Sequence, residues 1–167
     1  GLMKFINGIL LKDSDYSGLL NDIKKERLPL ACTGLSLITK AAIIRSIHSH
    51  TERKAVVITH DEASANELAA DLSSMGLKCL NFPLRDYCIG NLSGYSREYE
   101  HKRTDTLSAL ADGAFDLLTV SVDAATQLTV PPEILENARF TLKTGDIVDT
   151  SELTERLLGA GYNRSEL

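Results

Sequence analysis

The chain has 167 residues, of which 43% are hydrophobic and 25% are charged. This composition is typical of one folded domain or slightly more, and it excludes disorder as the default state. The apolar runs fall far short of the about 20 residues that a membrane-spanning helix needs, so no membrane association is expected. The net charge of −5 lacks the basic excess of proteins that bind the DNA backbone, so no direct DNA binding is expected.

The first residues and the spacing of the cysteines both predict a protein of a reducing compartment. The first residues contain neither a long apolar segment nor a small-residue cleavage site, so we expect a cytoplasmic protein. The three cysteines, Cys32, Cys79 and Cys88, form no C-x-x-C pair. Cys32 and Cys79 stand in apolar runs, which predicts that these thiols are buried, reduced and inert.

The first three quarters of the chain alternate between predicted strands and predicted helices. The strands are predicted at residues 28–32, 55–59, 77–82 and 115–121, and each leads into a helix. Such an alternation is typical of a three-layer α/β fold, in which crossover helices connect the strands of a parallel sheet and cover both of its faces. The sequence therefore predicts this fold class.

The helix that follows the second strand has the clearest pattern. Ala65, Leu68, Ala69, Leu72 and Met75 recur at the spacing of one helix face, and Gly76 then ends the helix. Other helices are predicted at about residues 36–48, 95–111 and 121–128. On the helix at 95–111, Leu107, Leu110 and Ala111 are predicted to face inward.

The last part of the chain is predicted to begin a second subdomain. The Pro131-Pro132 pair opens a short helix, residues 139–143 are predicted as a strand, and residues 150–158 as a helix. The predicted division is therefore 1–138 for the α/β subdomain and 139–167 for a truncated second subdomain.

The segment with most chemical promise is Gly34-Leu35-Ser36-Leu37-Ile38-Thr39-Lys40-Ala41, between the first predicted strand and its helix. Its spacing from Gly34 to Lys40 matches a phosphate-binding loop. Such a loop needs a second glycine and a hydroxyl after the lysine to hold magnesium, whereas Thr39 and Ala41 occupy those positions. We therefore predict a degenerate loop, formed by Thr33, Gly34, Ser36, Thr39 and Lys40, that binds no cofactor.

No other cluster of residues predicts a catalytic or metal site. Asp61, after the second strand, is the candidate magnesium-binding acid, but it is also well placed to cap the next helix. Ser36 lacks the last glycine of a nucleophile elbow. The histidines His48, His50, His60 and His101 have no ligand spacing. The mixed charges at residues 97–103 are typical of a solvated helix face.

The order of these segments resembles the amino-terminal module of the bacterial transcription-repair coupling factor, which is itself similar to the B component of the excinuclease. The resemblance covers almost the whole chain. It rests on the following residues: Thr33-Gly34-Leu35-Ser36, Lys40-Ala41, Val56-Val57-Ile58-Thr59-His60-Asp61-Glu62, Phe82-Pro83, Arg97-Glu98, Arg103, Leu107, Val120-Ser121-Val122-Asp123-Ala124, Gln127-Leu128, Pro131-Pro132-Glu133, Leu142, Gly145, Leu157, Gly161-Tyr162 and Arg164. Pro-Pro-Glu and the terminal Gly-Tyr-x-Arg favour the coupling factor, because the B component of the excinuclease keeps an intact Gly-Lys-Thr loop.

The resemblance implies a degenerate RecA-like lobe and a non-hydrolysing adaptor whose second subdomain recruits the A component of the excinuclease. It also implies that the contact with this component lies beyond Leu167. ATP, magnesium, RNA polymerase and DNA would be bound by later domains of the whole protein. The chain departs from the family where Leu37-Ile38-Thr39 replaces the usual Gly-Ser-Ala.

Two other interpretations remain open from the sequence. The chain could be the nucleotide-binding lobe of a superfamily 2 helicase or of the excinuclease B component, which the residues at positions 39 and 41 disfavour. It could also be an unrelated α/β binding module that shares only the strand-helix alternation.

Overall fold

The computed structural model describes residues 8, 12–85, 95–160 and 162. In these ranges the chain forms a three-stranded parallel sheet with helices on both of its faces, so the predicted α/β class is confirmed. The elements, in chain order, are α1 (Ser14–Lys24), α2 (Leu37–Thr51), β1 (Ala55–Thr59), α3 (Glu62–Ser74), β2 (Cys79–Phe82), α4 (Tyr95–Ala111), β3 (Leu117–Ser121), α5 (Val122–Ala125), α6 (Pro132–Ala138) and α7 (Thr150–Gly159).

The strands lie in the order β1-β3-β2, with β3 in the centre. Ala55 aligns with Leu117 on one side of β3, and Cys79 aligns with the same residue on the other side. Because β3 has a neighbour on both sides, its residues are almost all buried, whereas alternate residues of β1 are exposed.

Each face of the sheet has its own apolar core. On one face, Ala41 of α2 and two leucines of α3 pack with Leu117. On the other face, Phe82 and Val120 pack with Ala124 of α5, and Leu107 of α4 covers them. Leu107 and Leu110 are half-buried, and the inward orientation predicted for Leu107 is confirmed by its packing against this core, whereas Ala111 is exposed, so its predicted inward position is wrong.

Helix α3 follows the sequence pattern closely. The carboxylate of Asp61 accepts a hydrogen bond from the Ser64 backbone N–H at 2.8 Å, which caps the helix. Ala65, Leu68 and Leu72 are fully or almost fully buried, as their spacing predicted. Gly76 follows the helix with a φ of +87°, a conformation that glycine adopts without steric cost.

Two of the predicted strands do not form. Residues 28–32 are not in the sheet, and Leu28 is 60% exposed. Pro29 has no N–H to donate to a ladder, and no described strand pairs with this segment. Residues 139–143 are likewise outside any sheet, and the next residues form a turn in which Lys143 donates its N–H to the Asp146 carboxylate.

The later helices largely agree with the prediction. The Ser121 hydroxyl caps α5, but this helix ends at Ala125 rather than near residue 128. Pro132 lies in the first turn of α6, where its missing N–H costs nothing. The carboxylate of Asp149 caps α7, which ends at Gly159.

The chain divides into two compact units, Gly1–Gln127 and Leu128–Leu167. The first contains the sheet, and the second contains α6 and α7. In the described part of the second unit, Leu135 is the one buried residue, and several large apolar side chains are exposed. The division into subdomains 1–138 and 139–167 stays a prediction.

Candidate functional site

The loop-like segment before α2 is held by local hydrogen bonds. Gly34 has a φ of +75°, which turns the chain towards the helix. The Ser36 hydroxyl caps α2 by accepting a hydrogen bond from the Thr39 N–H at 3.4 Å. The hydroxyls of Ser36 and Thr39 are 2.7 Å apart. These two hydroxyls therefore bond to each other and to the helix end.

Lys40 and Ala41, the last two residues of the predicted loop, have different environments. Ala41 is completely buried in the core between α2, α3 and β3. A magnesium ion at this position would need a polar, accessible ligand, and a buried methyl group supplies none. Lys40 is exposed.

Lys40 lines an open cleft of about 490 Å³ beside the carboxyl end of β1. Thr59, His60 and Ser64 also line it. The rest of the lining consists of mainly apolar side chains from α1, residues 28–37, α2, β1 and α3: Leu19, Ile23, Leu28, Leu30, Cys32, Leu35, Leu37, Ile43, Ile44, Ile47, Val57, Ile58 and Leu68. The lining of this cleft therefore combines the ammonium group of Lys40 with largely apolar side chains.

Thr33 and Thr39 line a second cleft, of about 650 Å³, between α1 and the segment before α2. Its charged lining residues are Asp13, Asp15 and Asp22, all of them acidic. Asp13 caps α1, and Asp22 lies 3.5 Å from the Arg27 guanidinium. Carboxylates in this position repel a polyphosphate rather than attract it.

Asp61 acts as a helix cap in the structure. Hydrogen bonds from the side chain and backbone of Ser64 hold the pKa of Asp61 below its usual range, and the nearby His60 lowers it further. The ring Nε2 of His60 lies 3.2 Å from the Asp61 carboxylate, and both side chains are largely exposed. The predicted capping role is confirmed.

A buried arginine is the main polar feature that the sequence interpretation missed. Arg103, placed with the solvated charges of residues 97–103, is only 5% exposed, so that prediction is wrong for this residue. Its guanidinium donates hydrogen bonds to the Pro83 carbonyl oxygen at 2.7 Å and to the Gln127 side-chain oxygen at 3.0 Å. It also stacks over the Phe82 ring, 4.3 Å from the centroid.

Gln127 connects this arginine to the chain after β2. Its side-chain oxygen accepts the Arg85 N–H at 2.7 Å, and its amide nitrogen donates to the Arg85 carbonyl at 3.0 Å. Arg85 in turn forms an ion pair with Glu100 of α4. The network therefore joins the segments that follow β2 and β3 to α4.

The cysteines differ from one another. Cys32 is exposed, so its predicted burial is wrong, because the segment that contains it is not a buried strand. Cys79 is half-buried in β2, and burial raises the pKa of its thiol. Cys88 lies outside the described residues, as do Gly161 and Arg164 of the family pattern.

The described residues contain neither a metal-binding cluster nor a membrane-spanning helix. No group of three or more histidine, cysteine or acidic side chains lies close enough to hold a metal ion in the described ranges. None of the helices there is both long and apolar enough to cross a membrane.

Comparison with known proteins gives one consistent result. The chain is 26% identical over 160 residues to the transcription-repair-coupling factor of Staphylococcus aureus strain USA300, which covers 95% of this chain. It is 21% identical over 167 residues to the protein of the same name from Bacillus subtilis strain 168, which covers 99% of this chain. No family model matches. The resemblance predicted from the motifs is confirmed, and the chain is homologous to one segment of these proteins.

The chain spans 14% of the length of both relatives. The similarity therefore concerns a small segment of a much longer protein.

Proposed function

We propose that the chain is the amino-terminal module of a bacterial transcription-repair coupling factor, and that it acts in the cytoplasm as a non-catalytic adaptor in transcription-coupled nucleotide excision repair. The observation that carries this proposal is the similarity to coupling factors along almost the whole chain. On this proposal the three-stranded sheet is part of a degenerate RecA-like lobe.

The geometry of the loop supports a role without nucleotide. The side chain after Lys40 is a methyl group buried in the core, so no hydroxyl is available for magnesium. The hydroxyls of Ser36 and Thr39 already bond to each other. The cleft beside Thr39 has acidic groups and no basic ones among its lining residues. Each of these features opposes binding of a magnesium-bound triphosphate.

On this proposal, recruitment of the excinuclease A component belongs to the second subdomain once it is completed by residues after Leu167. The described part of the unit Leu128–Leu167 supports this, because it exposes many large apolar side chains and buries few. An apolar surface of this kind needs further chain or a partner to cover it. ATP, RNA polymerase and DNA would be bound by other parts of the whole protein.

A second candidate function is a nucleotide-binding lobe of the kind found in helicases or in the excinuclease B component. The observation that favours it is the left-handed conformation of Gly34, at the start of the motif that ends at Lys40, ahead of a capped helix. Such a helix start can bind an anion.

Isothermal titration calorimetry with magnesium-ATP separates the two functions. The adaptor proposal predicts no binding heat with the wild-type chain. A micromolar isotherm that disappears in Lys40→Ala would contradict it and would support the nucleotide-binding lobe. An isotherm that persists unchanged in Lys40→Ala would place the nucleotide elsewhere and would also contradict the proposal.

A further inference from the structure

Helix α1 is attached to the rest of the chain by few side chains. Tyr16 and Leu20 are its buried residues. The clefts of about 650 and 490 Å³ both lie beside it, and Leu19 of α1 lines the two of them. In water a short helix is stabilised mainly by packing of its apolar face, so two buried side chains hold α1 weakly.

The hydroxyl groups between α1 and α2 add a cost to this packing. Tyr16 is 5% exposed and Ser46 of α2 is fully buried, and within the described ranges neither hydroxyl has a hydrogen-bond partner. Burial raises the pKa of Tyr16, and the nearby Ser46 hydroxyl opposes this rise. A buried hydroxyl without a partner loses its hydrogen bonds to water and regains none, so both groups oppose the docking of α1.

The segment that follows α1 leaves the helix room to move. Residues 24–34 are all exposed. In the part of the chain that the structure describes, residues 29–35 form no hydrogen bond. The Glu26 carboxylate lies 3.5 Å from the Arg53 guanidinium, but both side chains are largely exposed, and such a pair contributes little. This segment therefore permits α1 to leave α2 without disturbing the sheet.

From these observations we infer that α1 is a detachable lid, which leaves the surface of α2 while the three-stranded sheet stays folded. The two clefts beside α1 share five lining residues: Leu19, Leu30, Cys32, Leu35 and Ile43. Release of α1 joins the clefts into one apolar groove along α2 and lets both buried hydroxyls bond to water. An isolated helix of 11 residues is marginal in water, so the released segment also loses its helical hydrogen bonds.

Native-state hydrogen exchange of the whole chain, in urea concentrations below the unfolding transition, tests this inference. The amides of residues 18–24 should be at least about a hundredfold less protected than those of Thr119 and Val120 in β3, because they exchange through release of α1 rather than through global unfolding. Their exchange should also depend less steeply on urea, since release of one helix exposes less surface than unfolding of the chain.

Two substitutions test what holds the lid. Tyr16→Phe removes an unpartnered hydroxyl but keeps the ring, so it should raise the protection of α1 by about fivefold or more. Tyr99→Phe is the matched control, because Tyr99 is 38% exposed on α4, and it should leave the protection of α1 unchanged. Leu20→Ala removes an apolar anchor, so the amides of α1 should exchange at nearly their intrinsic rates while β3 stays protected in the same sample.

Four outcomes would overturn the inference. The first is equal protection and equal urea dependence in α1 and β3, which would make α1 part of the global unfolding unit. The second is a Tyr16→Phe variant in which the protection of α1 falls or stays the same, which would show that the hydroxyl does not oppose docking. The third is an equal effect of Tyr16→Phe and Tyr99→Phe. The fourth is loss of β3 protection together with that of α1 in Leu20→Ala.

Discussion

Replacing the buried Arg103 should destabilise the fold strongly. Arg103→Met keeps most of the side-chain length but removes the charge and the two hydrogen bonds to the Pro83 carbonyl and the Gln127 side chain. A hydrogen bond of a charged group contributes about 1.5–3 kcal/mol, and stacking on Phe82 adds about 0.5–1 kcal/mol. The substitution also removes the desolvation cost of the buried guanidinium, which offsets part of this loss. We therefore expect the free energy of unfolding to fall by about 2–4 kcal/mol.

Urea unfolding followed by far-ultraviolet circular dichroism measures this loss directly. Lys102→Met is the matched control, because Lys102 is the exposed neighbour on the same helix. It should change the free energy of unfolding by less than about 0.5 kcal/mol. If the slope of the unfolding free energy against urea concentration is the same in both variants, they expose the same surface area on unfolding. If Arg103→Met cost no more than Lys102→Met, the network at the carboxyl ends of β2 and β3 would not stabilise the fold as described.

Three further predictions concern other parts of the chain. Ala41→Thr should destabilise it by about 1–3 kcal/mol in the same urea assay, because a hydroxyl and an extra methyl group enter a filled core; a neutral result would place Ala41 at an accessible site. Asp61→Ala should lower the unfolding midpoint at pH 7. The folded state lowers the pKa of Asp61, so its carboxylate stabilises the fold above the ordinary aspartate pKa, and this stabilisation is lost as the pH falls through the lowered value. The unfolding midpoints of the wild-type chain and of Asp61→Ala should therefore converge in acid. A difference between the two midpoints that does not depend on pH would refute this. Hydrogen exchange should show weak protection at Phe140 and Leu142, which no described strand pairs; strong protection at every concentration would refute that prediction.

The sequence predicted those elements whose signals are local. Helix α3 follows from an apolar face with a capping aspartate before it, and both features act within one or two turns of chain. The parallel sheet follows from the repeated order of strand and helix, because parallel neighbours need a crossover between them. The capping role of Asp61 was predictable for the same reason.

The features that the sequence did not predict depend on distant parts of the chain. Whether residues 28–32 form a strand depends on a neighbour to pair with, and no apolar run by itself supplies that information. The exposure of Cys32 follows from the same missing partner. Arg103 is buried because Pro83 and Gln127, 20 and 24 residues away, supply its acceptors. A signal did exist, since Arg103 stands four residues before Leu107, on the same face of α4.

The candidate site was predicted as a set of residues but not as a geometry. The sequence indicated that positions 39 and 41 lack the groups of a working phosphate loop. It did not indicate that Thr39 faces a cleft with acidic lining while Lys40 lines a different one. That separation follows from how α1 and the segment before α2 lie beside the helix start, which only the fold establishes.

Capture of the excinuclease A component tests the proposed adaptor role most directly. Two immobilised proteins are compared without nucleotide: this chain, and the same chain extended downstream in its own gene through the whole second subdomain. The extended protein should bind the A component, and the present chain should bind it weakly or not at all. Equal binding by both would place the contact within residues 1–167, and absence of binding by the extended protein would contradict the adaptor role itself.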